Sequence, residues 1–241
     1  MVKVRVRLLG ISGTPIKDGN CDNLVKQALD AALEMGDVET EFVSLAGKEI
    51  QMCQHCQYCI ENRTACKIKD DATPIYQMME RADGFILGGP TWDLTLAPPL
   101  LNLISRLREA TFFSYRYRNK VGGGVTCGWF GWGMDAALDV IDRLMRSMQV
   151  IPVARGSAMS SAMAYGQRAA HMEHGALDDK AGLRSVRNVG LRVAEIARLI
   201  KFATESGALP PPELLVVTTG GRMKAPQKTA EKKKFVDGVW R

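Results

Sequence analysis

The sequence predicts an α/β fold in which helices cover both faces of a doubly wound sheet of five parallel strands, in the order 2-1-3-4-5. Short apolar runs alternate along the chain with amphipathic segments of helical period, which is typical of βα units. The 241 residues, 46% of them hydrophobic, suffice for one α/β domain with some additional elements. The last predicted strand contains Pro152, which favours an edge position, and the proposed order places that strand at an edge.

The predicted strands are short apolar runs separated by the helical segments. The third is expected to be buried, and the fourth is rich in glycine. The five predicted strands are residues 4–9, 41–45, 84–88, 122–127 and 150–153.

The predicted helices carry their apolar residues on one face. The first has Leu24, Ala28 and Leu29 on one face and Gly36 near its end. Pro98 begins the helix after the third strand, because proline is tolerated in a first helical turn. The five predicted helices are residues 23–35, 72–82, 98–107, 134–148 and 180–205.

Three segments fall outside this alternation. Residues 48–70 form a cysteine-rich loop, and residues 155–178 have poor periodicity and are expected to be a long loop or a short-helix insertion. Residues 207–241 follow as a C-terminal extension with the composition of a linker and tail. Residues 1–206 are therefore expected to form one ligand-binding domain.

The charge of the chain bears on its partners. The formal net charge is +6, which would suit an acidic partner. Much of the excess lies in the extension, at Lys228, Lys232, Lys233 and Lys234. We favour a solvated tail or an oligomer contact over nucleic-acid binding. Charged residues interrupt the only apolar run near the start, and no apolar stretch reaches membrane-spanning length, so we expect a cytoplasmic protein without membrane contact.

The loop after the first strand has the features of a phosphate site. In doubly wound sheets, ligands bind outside the carboxyl ends of the strands, which here are followed by the loops after Leu9, Gly88 and Cys127. The first of these loops supplies hydroxyl, amide and ammonium groups just before a helix N-terminus, where the dipole favours an anion; the groups belong to Ser12, Thr14, Lys17 and Asn20. Neither G-x-G-x-x-G nor G-K-[ST] occurs there. A turn with a helix cap is the alternative.

Four of the six cysteines lie within 14 residues, at Cys53, Cys56, Cys59 and Cys66. Three thiolates at C-x2-C-x2-C spacing with a fourth nearby can surround one cubane cluster. Zinc also accepts four cysteines, although structural zinc usually uses two separated C-x2-C pairs. A disulfide or idle thiols is the third alternative. We favour the iron–sulfur interpretation.

Together, residues 10–24, residues 88–92 and the cysteine run resemble the NADPH-dependent FMN reductase superfamily and, within it, the iron–sulfur flavoproteins. The resemblance covers roughly the first 155 residues and, more loosely, the chain up to Glu205. It implies a flavodoxin-like fold, an FMN cofactor and a 4Fe–4S cluster held by the four cysteines. The family usually has an arginine where this chain has Ile16, and a hydroxyl where it has Cys21.

The resemblance also implies which residues bind FMN. The phosphate loop contributes Ser12, Thr14, Lys17, Asn20 and Cys21; the second loop contributes Pro90, Thr91, Trp92 and Asp93; and the third contributes Gly128, Trp129, Gly131, Trp132 and Gly133. Cys127, like Cys21, is expected to be a small buried hydrophobe rather than a catalytic thiol. We expect His55, His171 and His174 to lie on the surface, and no general acid or base group stands out.

The leading hypothesis is an FMN-dependent oxidoreductase that passes electrons between a 4Fe–4S cluster and FMN. By resemblance, its donor is a ferredoxin-like carrier or NAD(P)H, its acceptor is a small molecule, and the chain forms a homodimer or homotetramer. One alternative is a cluster-free NAD(P)H-dependent FMN or quinone reductase. Another is a non-catalytic module that docks on a partner through its basic tail.

Overall fold

The centre of the fold is a parallel sheet with the strand order β2-β1-β3-β5-β6. The structure is a computed structural model that describes residues 4–160 and 169–209 and the backbone of residues 235–236 and 239–240. The parallel strands are β1 (Val6–Ser12), β2 (Val38–Ser44), β3 (Gly84–Trp92), β5 (Val121–Trp129) and β6 (Ile151–Ser160). Counted in chain order, these five strands follow the predicted order 2-1-3-4-5, and the strand with Pro152 lies at an edge.

The sheet has one strand more than the five predicted. The two-residue strand β4 (Thr95–Leu96) pairs antiparallel with the end of β3, and Asp93 and Leu94 form the turn between them with positive φ angles of 46° and 63°. A strand of two residues shows no period-2 pattern, so the sequence gives no sign of it.

Helices lie on both faces of the sheet, as expected for a doubly wound fold. Their bounds are α1 (Asn20–Leu33), α2 (Tyr58–Asn62), α3 (Ala72–Arg81), α4 (Pro98–Ser105), α5 (Met134–Ser147) and α6 (Lys180–Glu205). One apolar cluster joins α1 and α6 to one face, and a second cluster joins α3, α4 and α5 to the other. Short π-helices occupy Ala110–Ser114 and Ala169–His174, and a 3-10 helix occupies Gly175–Asp178.

The prediction of an irregular segment over residues 155–178 is wrong for residues 155–160. Residues 155–160 continue β6 and stay in register with β5 as far as Trp129 and Ser160. The buried positions of this stretch are Gly156, Ala158 and Ser160. These small and polar side chains show no alternation between hydrophobic and polar residues, so a period-2 pattern does not reveal this part of β6. They are small because α6 packs closely here: a Cβ at Gly156 would lie 2.8 Å from the Cα of Val186.

Helix α6 ends at Glu205, the last residue predicted for that helix. Two short strands, β7 (Phe235–Val236) and β8 (Val239–Trp240), pair antiparallel near the C-terminus. The basic residues predicted as a tail, 228 and 232–234, lie outside the described residues. In the part of the chain that the structure describes, none of the helices combines the length and apolar character that a membrane span requires.

Candidate functional site

A cavity of about 380 Å³ opens at the carboxyl ends of β1, β3 and β5. All three predicted loops contribute to its wall, and the end of β6 and the π-helix at Ala169–His174 add one residue each. The lining residues are Thr14, Ile16, Asn20, Cys21, Pro90, Thr91, Trp92, Asp93, Cys127, Gly128, Trp129, Ser160 and Met172. Ligand cavities of doubly wound sheets occur at this edge, so the fold and the loops point to the same place.

The first loop brings the N-terminus of α1 to the cavity. Gly19 precedes the helix and supplies no side-chain cap, so the positive end of the α1 dipole lies beside the cavity. The Oγ1 of Thr14 accepts a hydrogen bond from the Ile16 amide at 3.1 Å, which holds the loop in a tight turn. The Oδ1 of Asn20 accepts from the Ala176 amide at 2.9 Å, so the 3-10 helix is tied to the beginning of α1.

The residues predicted as the second and third loops lie side by side where β3 and β5 end. A Cβ on Gly128 would lie 2.6 Å from the Oγ1 of Thr91, so only glycine allows the two loops to approach this closely. The Trp129 ring packs edge-on against Trp132, with centroids 5.4 Å apart. Trp92 is 45% exposed and Trp132 is 59% exposed, so the mouth of the cavity presents aromatic surface to solvent.

The structure brings most of the predicted cofactor residues together. Nine of them line the cavity: Thr14, Asn20, Cys21, Pro90, Thr91, Trp92, Asp93, Gly128 and Trp129. The other five do not: Ser12, Lys17, Gly131, Trp132 and Gly133. Ser12 is fully buried behind the cavity wall, and Lys17 is exposed on the first loop.

Four lining residues were not predicted as cofactor residues: Ile16, Cys127, Ser160 and Met172. Ile16 lies within the predicted first loop and Cys127 directly precedes the predicted third loop, so the positions of these two in the sequence indicated the site. Ser160 and Met172 lie in the segment that was expected to be irregular. That segment returns to α1, where the side-chain amide of Asn23 donates to the Glu173 carbonyl at 3.0 Å.

Two buried thiols meet in the cavity wall. The pKa of Cys21 lies well above its ordinary value, because the neighbouring Cys127 thiol and burial both disfavour its thiolate. The Ser12 hydroxyl donates to the Cys21 Sγ at 3.2 Å, which opposes that rise in pKa.

The cysteine-rich loop leaves the sheet after β2 and packs along α4. The Ile50 carbonyl accepts from the side-chain amide of Asn102 at 3.3 Å, and the Cys53 amide donates to the Oγ of Ser105 at 3.3 Å. Since α4 begins at Pro98, directly after the second cavity loop, this helix connects the cavity to the cysteine loop. None of the four cysteines lines the cavity.

A buried arginine fastens both ends of the cysteine loop. The Arg106 guanidinium pairs with Asp70 and donates to the carbonyls of Gln51 and Ile68 at 3.3 and 2.9 Å. Its side chain is fully buried, and that of Asp70 is 5% exposed. Burial opposes ionisation of Asp70, but hydrogen bonds from Gln51 and Arg106 outweigh it, and the pKa of Asp70 lies below its ordinary value.

All four loop cysteines are free thiols. Burial raises the pKa of the Cys59 thiol, the nearby Arg108 lowers it, and the neighbouring thiols Cys66 and Cys53 raise it further. Three of the four sulfur atoms are thus close enough to interact, while Cys56 is exposed. Among the described residues, no group of three or more His, Cys, Asp or Glu side chains is arranged to hold a metal ion. The donor set itself, four unpaired thiols on one loop beside two arginines, fits an anionic thiolate-ligated cluster.

The three histidines that were expected on the surface do not line the cavity. His55 is exposed and its Nδ1 lies 3.0 Å from the side-chain amide of Gln57, and His174 is also exposed. The side chain of His171 lies outside the described residues.

Comparison with known proteins shows the family of the chain. A sequence model of the NADPH-dependent FMN reductase family matches residues 6–164. An iron–sulfur flavoprotein of Methanocaldococcus jannaschii is 37% identical over 199 residues, which are 81% of this chain and 100% of that protein. An iron–sulfur flavoprotein of Archaeoglobus fulgidus is 31% identical over 192 residues, 78% of this chain and 96% of the relative.

Solved structures show the same fold. A flavodoxin, a WrbA-like protein of Agrobacterium tumefaciens, superposes with a TM-score of 0.54 at 14% identity, and the match covers 80% of this chain and 98% of that one. The architecture is therefore flavodoxin-like, and the protein is an FMN flavoprotein oxidoreductase. The chain belongs to the NADPH-dependent FMN reductase family and, within it, to the iron–sulfur flavoproteins.

Proposed function

We propose that the cavity holds FMN, that Cys53, Cys56, Cys59 and Cys66 hold a 4Fe–4S cluster, and that the protein passes electrons between the two groups. The observation that carries the proposal is the convergence of all three predicted loops on one cavity at the carboxyl edge of the sheet. When bound, FMN supplies two-electron chemistry and the cluster supplies one-electron chemistry.

The first loop has the groups that an FMN phosphate requires. The N-terminus of α1, whose dipole favours an anion, lies beside the cavity, and Thr14 and Asn20 line the same wall. Ile16 occupies the position at which the family usually places an arginine. The helix N-terminus and the exposed Lys17 therefore supply the positive potential that the missing arginine would have given.

The second and third loops supply the walls for an aromatic ring system. Trp92, Pro90 and Trp129 line the cavity and exclude water from it, and flat apolar side chains stabilise a planar ring by dispersion and stacking. The close approach of Gly128 to Thr91 leaves backbone amides near the cavity, where they can donate to an electron-rich ring edge.

The surroundings of the four cysteines suit a negatively charged cluster. The Cys66 thiol is near enough to the Arg106 guanidinium to favour its charged form, and Arg108 lowers the pKa of Cys59. The His55 amide lies 3.4 Å from the Cys53 Sγ, an N–H···S contact that stabilises a thiolate. Four free thiols are also typical of a reducing compartment, so we propose a cytoplasmic location.

The electron donor follows from the site only as a class. We propose a ferredoxin-like carrier or NAD(P)H as donor and a small molecule as acceptor, with FMN bound by a domain of residues 1–206 and with residues 207–241 as an extension.

Because the cysteine loop lies along α4 and outside the cavity, a homodimer or homotetramer would bring the loop of one subunit towards the cavity of another. The exposed apolar side chains at the mouth suit that contact; they are Trp92, Leu94, Phe130, Trp132 and Met159.

The second candidate is a cluster-free NAD(P)H-dependent FMN or quinone reductase. It is favoured by the side-chain positions of the cysteine loop, which are not grouped as a ligand set among the described residues.

Anaerobic rapid mixing separates the two candidates. The FMN-loaded chain is mixed with a reduced ferredoxin, or with NADPH, and the loss of flavin absorbance is followed. We expect the ferredoxin to reduce the flavin of the wild-type chain and not that of Cys56→Ser, while both proteins keep equal FMN content. Equal reduction of both proteins by ferredoxin would favour the cluster-free reductase.

A further inference from the structure

Cys21 and Cys127 are the two cysteines outside the cysteine-rich loop, and they meet although 106 residues separate them in the sequence. Cys21 belongs to the first turn of α1, and Cys127 lies near the carboxyl end of β5. Both are nearly inaccessible, at 2% and 6% exposure, and both belong to the apolar cluster between the sheet and α1. Ordinary packing would account for two such buried cysteines if each were surrounded by carbon.

Their actual surroundings differ from ordinary packing in two ways. The Cys127 thiol is near enough to act on the Cys21 thiol, and Cys21 also receives a hydrogen bond from the Ser12 hydroxyl at 3.2 Å. Both residues also line the cavity in which we propose FMN. The room for the Cys21 sulfur comes from Gly88 of β3, since a Cβ there would lie 3.2 Å from the Cys21 Sγ and 2.3 Å from a methyl carbon of Val25.

We propose that Cys21 and Cys127 are a redox-active dithiol in the wall of the cofactor cavity, which closes to a disulfide by giving two electrons to the flavin. The inference rests on the proposed binding of FMN in this cavity. Two S–H bonds break and one S–S bond forms, while two protons and two electrons leave the thiols and convert oxidised FMN to its fully reduced form. No further oxidant is needed, and the reverse step returns the two reducing equivalents.

The surroundings of the pair suit this exchange. The two side chains lie in one apolar cluster and in one wall of the cavity, and a disulfide requires their Cα atoms to lie within about 7 Å of each other. The Ser12 hydroxyl donates to the Cys21 sulfur and stabilises the negative charge that develops there as its proton leaves. Both residues line the cavity and are otherwise nearly inaccessible, so a ligand in the cavity lies against the pair.

Trypsin separates this pair cleanly from the other cysteines. Cys21 falls in the peptide 18–26 and Cys127 in the peptide 121–143, while the cysteine-rich loop gives the peptides 49–63 and 64–67. The FMN-loaded full chain is oxidised with diamide, its remaining thiols are alkylated in denaturant, and the digest is analysed by mass spectrometry. We expect a cross-linked peptide of 18–26 with 121–143 that dithiothreitol resolves and that Cys127→Ser lacks.

An anaerobic dithionite titration of the same oxidised samples tests the exchange with the flavin. We expect the wild-type chain to consume two electron equivalents per chain more than Cys127→Ser over the whole titration, at or after the loss of flavin absorbance, because a dithiol that reduces the flavin forms a disulfide that is no easier to reduce than the flavin; the cysteine-rich loop is common to both proteins. Alkylation of both Cys21 and Cys127 after oxidation of the wild-type chain would overturn the proposal without reference to any variant. A cross-link with equal electron consumption would also overturn it. Flavin retained after desalting reports on FMN binding separately, so loss of FMN would refute the proposed function and not the dithiol.

Discussion

At the scale of single residues, Arg106 is the side chain on which the cysteine loop depends most. It is fully buried, it pairs with a nearly buried carboxylate, and it binds main-chain carbonyls from both ends of the loop. The sequence offers no sign of this role, because the arginine follows α4 and its partners lie 36 to 55 residues earlier in the chain. Long-range polar contacts of this kind have no periodic pattern and become visible only in the fold.

We predict that Arg106→Ala lowers the free energy of unfolding by about 3–5 kcal/mol, because it leaves Asp70 buried without its charge partner. Urea denaturation followed by circular dichroism measures the loss. Arg192→Ala is the matched control: its ion pair with Glu195 is about half exposed on both sides and should contribute at most about 1 kcal/mol. Equal losses in the two variants would contradict the role of Arg106.

Asp70 predicts a dependence of stability on pH. Its pKa is lowered in the folded state, so its contribution is fully present above the unfolded value of about 4 and is lost as the pH falls through the folded pKa. The difference in unfolding free energy between wild type and Asp70→Asn should therefore be largest near neutral pH and shrink below about pH 4. A difference that stays constant between pH 7 and pH 3 would refute this.

Site residues could be predicted from the sequence where they directly follow a predicted strand. Thr91, Trp92 and Gly128 follow apolar runs directly, so the topology sends them to the cavity. Ser12 has the right residue type in the right loop, but the last residue of β1 turns its side chain towards Cys21 instead. Met172 reaches the cavity from a segment without periodicity, and nothing in its sequence indicates that.

At the scale of elements, helices and parallel strands with large apolar residues were predictable, and elements made of small residues were not. Helices α3 and α5 begin at the predicted residues, whereas the second half of β6 was missed because glycine, alanine and serine fill its buried positions. A small residue also marks a close contact on α6, at the point where this helix crosses α1. A Cβ at Gly190 would lie 1.7 Å from the Ala28 carbonyl oxygen of α1.

We predict that Gly190→Ala destabilises the protein by about 1–3 kcal/mol, the usual range for overpacking, because α1 and α6 must separate to admit a methyl group. This loss of stability is the reverse of the usual effect, since alanine normally stabilises a helix by up to about 1 kcal/mol relative to glycine. Asn188→Ala, at an exposed position of the same helix, is the control and should be neutral or slightly stabilising. Urea midpoints that rise for Gly190→Ala would show that the helices do not cross this closely.

At the scale of the whole molecule, the fold keeps the cavity and the cysteine-rich loop apart. The cavity is formed at the carboxyl edge of the sheet, while the cysteine-rich loop is bonded to α4 at Asn102 and Ser105, and none of its four cysteines lines the cavity. The strand order and the loops that form the cavity followed from the alternation of apolar runs. The position of the cysteine loop did not, because a loop of 23 residues without regular periodicity takes its course from contacts such as those of Arg106.

The central claim is that this chain holds both FMN and a 4Fe–4S cluster. Iron, acid-labile sulfide and FMN are measured together in full-length protein purified anaerobically, with Cys56→Ser as the control. We predict four iron and four sulfide atoms with one FMN per wild-type chain, and in Cys56→Ser a loss of iron with FMN retained. Wild-type chain that binds FMN but no iron, even after anaerobic reconstitution with iron and sulfide, would contradict the claim.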